Sequence, residues 1–152
     1  MKYWNYRTRF VYYRKKYKGL YQKIITEKKS DFATDISKDL DRTFPQLRHF
    51  AKGNLGQDQL ERLLTAISIY YKKLGYVQGM NFIVGTVLLS FQTEEDAFWM
   101  VVSMLVNFKL DQLLTFENHK FKVICYQIDM FVKAYMPRLH QIFVSEAVSC
   151  KW

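Results

Sequence analysis

Apolar side chains recur along this chain at helical rather than strand spacing. Near the start, Phe10, Tyr13, Tyr17, Leu20, Tyr21 and Ile24 fall on one face with lysines mostly on the others, which predicts a helix over about 6–28. Ser30 and Asp31 mark a break across residues 29–35, and a short helix over about 36–41 follows. Pro45 stops it and disfavours right-handed helical backbone at Phe44. Residues 50–57 contain Gly53, Asn54 and Gly56 and read as a loop. Leu60, Leu63, Leu64, Ile67, Tyr71 and Leu74 then form one stripe. Asp58 stands near its start, Lys72 and Lys73 near its end, as the helix dipole prefers, and Gly75 is placed as a left-handed terminator. Residues 80–91 are apolar on nearly every face, which predicts a central buried helix. Thr93 reads as an N-cap ahead of Glu94, Glu95 and Asp96, opening a helix over about 94–106 with Phe98, Trp99, Val102 and Leu105 inward. Residues 107–115 read as a less regular connection. A helix over about 116–135 is expected to turn Phe121, Ile124, Ile128 and Phe131 inward, and Pro137 suits the first turn of a last helix over about 137–149. The predicted fold class is all-α.

Composition supports a packed domain. The 152 residues are 49% hydrophobic and 17% aromatic, with only two prolines and six glycines to interrupt helices. The formal net charge of +9 is unevenly placed. Residues 1–29 hold ten Lys and Arg against Glu27 alone, so this arm carries the whole excess and the other 13 basic and 13 acidic residues balance. The arm offers a basic surface for anionic membrane, through residues 2–29, or for an acidic partner. The reading preferred to either is a peripheral helix whose aromatic stripe packs on residues 30–152 and whose lysines are simply solvated. No nucleic-acid module appears in the sequence, which disfavours that class of partner.

Residues 1–29 lack the apolar core of a secretory signal, and residues 80–91 are too short to span a bilayer. Cys125 and Cys150 form no metal-binding spacing and read as reduced, buried thiols of a cytoplasmic protein. His49, His119 and His140 read as structural or exposed. There is no Gly-rich phosphate loop and no metal or nucleophile motif, so the chain has no visible means of binding a nucleotide, and no metal or cofactor is expected.

Two polar segments stand out against this background. In Ile36-Ser-Lys-Asp39-Leu-Asp-Arg42-Thr-Phe-Pro45, Asp39 and Arg42 are three residues apart and can pair on a helical turn, aiming the guanidinium from a helix end. In Tyr76-Val-Gln78-Gly79-Met-Asn81, Gln78 lies at or just before a helix start. Gly79 would permit close backbone approach, and Asn81 would tie the loop down through hydrogen bonds to backbone. Each side chain alone reads as ordinary, Arg42 as a surface ion pair and Gln78 as a turn residue. Together they offer what triphosphate hydrolysis needs from a helper: a guanidinium to neutralise charge on the transferring phosphoryl group and a carboxamide to orient water.

The two motifs in order resemble the TBC domain, the GTPase-activating domain that acts on Rab GTPases. Ile36, Asp39 and Arg42 fill the first family motif, Tyr76 and Gln78 the second, and residues 93–99 resemble the segment that follows. The likeness covers about residues 30–150. It implies an all-helical fold and a Rab-family GTPase, in its GTP-bound form, as partner. Arg42 and Gln78 would act as arginine and glutamine fingers, with Asp39 positioning Arg42, and Tyr76 and Asn81 shaping the Gln78 loop. GTP and Mg²⁺ would be held by the GTPase. It also implies a cytoplasmic protein with a peripheral place on endomembranes. The chain ends at Trp152, before the last helices of a complete TBC domain, so apolar faces directed at those helices are expected to be exposed. The alternative is a TBC-like scaffold that binds a GTPase, or anionic membrane through its basic arm, without catalysis.

Overall fold

The computed structural model describes residues 7–27, 30–115 and 119–146. The described residues form helices and no strand: α1 (Phe10–Lys16), α2 (Leu20–Glu27), α3 (Ala33–Leu40), a 3-10 turn at Arg48–Phe50, α4 (Leu55–Tyr70), α5 (Met80–Ser90), α6 (Glu94–Asn107), α7 (Leu110–Leu114), α8 (His119–Tyr135) and α9 (Pro137–Ser145). The all-α expectation holds. The chain divides into two compact units, Met1–Asp111 and Gln112–Trp152.

In the first unit α4 is the hub, packed against α2, α3, α5 and α6. Its predicted stripe is right where it is helical: Leu60, Leu63, Leu64 and Ile67 are fully buried. The helix begins earlier than expected and ends at Tyr70, so Tyr71 and Leu74 leave it through a turn closed by Gly75 at φ 65. Tyr71 instead donates its hydroxyl to the buried carboxylate of Asp111, 3.0 Å away. Thr93 caps α6 as predicted, its Oγ1 accepting from the Asp96 N–H, and Phe98 and Trp99 are fully buried.

The single helix predicted over 6–28 is two. Gly19, at φ 78, separates α1 from α2. The break lets both pieces meet the core: Tyr13 and Tyr17 stack on Trp99, while Tyr21 packs on Phe98. The fully buried Thr8 clamps the start of α1, its carbonyl accepting from Ser103 Oγ and from Asn107 Nδ2. The aromatic stripe of the arm is therefore a packing face.

α5 is less central than its composition suggests. Met80, Val84 and Leu88 are buried, but Phe82, Thr86 and Leu89 form an exposed stripe. Residues 107–115, expected to be irregular, contain α7. In the second unit α8 and α9 form a hairpin, with Pro137 at the predicted first turn. Here the inward assignment fails. Ile124, Ile128 and Phe131 are exposed and Phe121 only half-buried; within the hairpin, α9 does not cover the apolar face of α8. Cys125 is half-buried rather than buried, and His140, read as structural or exposed, is half-buried with its Nε2 3.5 Å from Asp129 Oδ1. Cys150 lies outside the described residues. Among those residues no helix is long and apolar enough to cross a membrane.

Candidate functional site

The first motif is built on α3. Ile36 is fully buried and anchors the helix, leaving Asp39 at its C-terminal end, 6% exposed. Arg42 follows one turn later. Its Nη2 lies 2.5 Å from Asp39 Oδ1, the predicted i, i+3 pair, while its side chain stays 48% exposed. The other carboxylate oxygen, Oδ2, accepts from the Tyr76 hydroxyl at 2.5 Å. Burial, and then the hydrogen bond to Asp39, push the Tyr76 phenol well above its ordinary range, so it remains a neutral donor. Asp39 is thus shared between an arginine of the first motif and a tyrosine of the second.

The chain then turns sharply. Pro45 disfavours helical backbone at Phe44 as expected, but Phe44 is left-handed, at φ 47, rather than extended. A phenylalanine there stores strain of about 1–3 kcal/mol. Packing holds it, since its ring meets Phe50 and Phe82 at centroid distances of 5.9 and 5.6 Å. Pro45 itself is exposed.

Gln78 is exposed in the turn that enters α5, as predicted. The role expected of Gly79 changes. A Cβ there would meet nothing, so glycine is needed for its φ of 97 and not for close approach. The role of Asn81 changes too. It is fully buried, and its Nδ2 donates to Thr43 Oγ1 at 2.8 Å instead of to loop backbone. Thr43 Oγ1 in turn donates to the Asp39 carbonyl at 2.7 Å. Thr43 is the site residue that sequence reasoning passed over. Its only local signal is its place between Arg42 and Phe44; its partner Asn81 is 38 residues away.

The result is one cleft of about 430 Å³ lined by Asp35, Lys38, Asp39, Arg42, Tyr76 and Gln78. Arg42 and Gln78, from different segments, share its wall. The cleft is small and open, with two cations, Arg42 and Lys38, and one exposed amide, Gln78. Among the described residues no group of His, Cys, Asp or Glu could hold a metal ion. Such a cleft can present a guanidinium and an amide to a ligand carried by another molecule.

A family model described as the Rab-GTPase-TBC domain matches residues 2–152, the basic arm included. The chain is 36% identical over 108 residues to the Rab GTPase-activating protein eat-17 of Caenorhabditis elegans, covering 71% of this chain and 12% of that protein. It is 48% identical over 73 residues to the GTPase-activating protein MSB4 of Saccharomyces cerevisiae, covering 44% of this chain and 15% of that one. Its fold is similar to the crystal structure of the Chlamydomonas flagellar RabGAP TBC domain, with a TM-score of 0.69 and 25% identity over 92% of this chain and 46% of that one. The chain therefore spans less than half of the solved domain and a small part of these curated relatives. Matched by the family model from residue 2 to residue 152, and built of helices like that solved domain, this chain belongs to the Rab-GTPase-TBC domain family.

Proposed function

We propose that this chain acts as a GTPase-activating protein for a Rab-family small GTPase in its GTP-bound form. Arg42 is the arginine finger and Gln78 the glutamine finger, both supplied in trans. The observation that carries this reading is that the two side chains, from separate motifs, line one cleft and rest on one hydrogen-bonded support. The names of the relatives, a Rab GTPase-activating protein and a GTPase-activating protein, favour the same activity.

In this reading the GTPase brings GTP and its Mg²⁺, and the chain itself binds no nucleotide. The Arg42 guanidinium neutralises charge developing on the γ-phosphoryl oxygens. Asp39 holds it at the cleft until the phosphate replaces one of its partners. The Gln78 carboxamide orients the attacking water, with Gly79 and Tyr76 fixing the loop that carries it. The protein works in the cytoplasm, at the periphery of endomembranes where its partner acts.

The test is single-turnover GTP hydrolysis by a panel of Rab proteins, with circular dichroism on every sample. Acceleration of a subset is expected. Arg42→Ala should lower the stimulated rate by about 10³ to 10⁵, the range seen for an arginine supplied in trans, with helix content unchanged. Gln78→Ala should also remove most of the stimulation. A folded chain that binds a GTPase without accelerating it would replace this reading with a non-catalytic scaffold.

A further inference from the structure

The basic arm is the feature that the finger chemistry leaves unused, and its cations differ sharply in their surroundings. Arg14 is paired, its Nη1 2.5 Å from Asp96 Oδ1. Elsewhere along this segment, Arg7, Arg9, Val11, Tyr12 and Lys15 join Phe108, just past α6, around an open cleft of about 790 Å³. Among the described residues no carboxylate lines it. Arg7, Arg9 and Lys15 are exposed and take part in no ion pair among the described residues. Two aromatic rings stand among them, Tyr12 at 56% and Phe108 at 42% exposure.

This surface is held in place. Between Arg7 and Arg9, the buried Thr8 is clamped to α6 by Ser103 and Asn107, and Phe10 is buried behind it. The two guanidinium groups therefore project from fixed backbone, while Lys16 extends over the Tyr12 ring, 5.8 Å from its centroid.

We propose that this cleft is a docking face for anionic phospholipid headgroups, by which the domain lies on a membrane surface. The arginine forks match phosphate oxygens, and lysine adds a point charge. Exposed Tyr and Phe rings ringed by Arg and Lys suit the boundary between headgroups and acyl chains. Nucleic acid and acidic peptide fit less well. Specific reading of base edges or of a peptide backbone would call for neutral hydrogen-bonding groups beside the cations. Among the described residues the one amide at this cleft, Asn107, is already engaged by the Thr8 carbonyl, Ser103 and the Tyr13 hydroxyl. Neither Arg42 nor Gln78 borders the cleft, so this face stands or falls independently of the fingers.

The test is sedimentation of the full chain with phosphatidylcholine vesicles, alone or containing phosphatidylserine. Binding is expected only to the anionic vesicles and should weaken as salt is raised. The triple variant R7Q/R9Q/K15Q should bind about 10²-fold more weakly, each basic residue near an anionic surface being worth about fivefold. R48Q/K72Q/K133Q removes the same charge from exposed positions elsewhere and should bind like the parent. Tyr12→Ser with Phe108→Ser should weaken binding while keeping its salt dependence. Arg42→Ala should bind vesicles normally, so loss of GTPase stimulation and loss of docking are separable. Equal losses in the two triple variants would overturn the proposal by reducing it to net charge. Binding to neutral vesicles, retention by R7Q/R9Q/K15Q, or displacement from vesicles by inorganic phosphate or single-stranded RNA at matched phosphate concentration would also overturn it.

Discussion

Asp39 has both carboxylate oxygens engaged within the protein, one by Arg42 and one by Tyr76, and Thr43 ties its carbonyl to Asn81. At this scale the arginine pair was legible, because an i, i+3 spacing on a helix brings side chains together by local geometry alone. The Tyr76 and Asn81 contacts were not, since they join positions 37 and 38 residues apart. Thr43 offers the sharpest test of whether this support positions Arg42. Thr43→Val keeps the volume, removes the hydroxyl and leaves the buried Asn81 amide without its acceptor. A loss of about 1–3 kcal/mol in urea denaturation is expected from that unsatisfied group. If Arg42 is misplaced, stimulated kcat should fall about 10²-fold with KM little changed. Thr43→Ser should restore most of both. In an Arg42→Ala background Thr43→Val should lower the rate no further; a further loss would mean that Thr43 acts by another route.

Elements with one clear apolar face and a cap were predicted well: α4 and α6 fall near their expected positions, and Pro137 opens α9. Errors cluster where a helix must serve two neighbours, as in the arm, or where its apolar face stays exposed, as in α8. One ionic junction joins three elements. Glu94 of α6 accepts from Arg62 of α4, Nε at 3.0 Å and Nη2 at 2.7 Å, and from the Tyr21 hydroxyl of α2 at 2.7 Å. Burial acts against its ionisation, but the hydrogen bonds from Arg62 and Tyr21 prevail and hold the carboxyl below its usual value. A depressed folded-state pKa stabilises above the unfolded value, about 4.3, and that contribution is lost as pH falls through the folded one. Glu94→Gln should therefore lower the melting temperature at neutral pH, and the gap from the parent should narrow below about pH 4. A gap independent of pH would show that the carboxylate charge is not what this junction uses.

Over the whole molecule the two units differ in how they are stabilised. The first closes on side chains such as Leu64, Ile67, Phe98 and Trp99, all fully buried. The second leaves Ile128, Met130, Phe131, Tyr135 and Val144 exposed. Leu64→Ala should cost about 2–5 kcal/mol in urea denaturation, the range for a large-to-small change in a packed core. Ile128→Ala, 54% exposed, should stay within about 0.5 kcal/mol. A large loss at Ile128 would reveal that this face is covered in solution.

By itself the sequence determined what depends on neighbours along the chain: the helical class, the α4 stripe, the α6 cap, the Arg42 pair and the order of two motifs that resemble a TBC domain. These follow from spacing, propensity and short-range hydrogen bonding. Tertiary structure alone decided which faces are covered, where the arm breaks, and that Arg42 and Gln78 share a cleft through Tyr76, Thr43 and Asn81. It also decided which of the arm's described cations pair with carboxylates, as Arg14 does, and which face solvent, because burial and pairing depend on distant segments that periodicity cannot see.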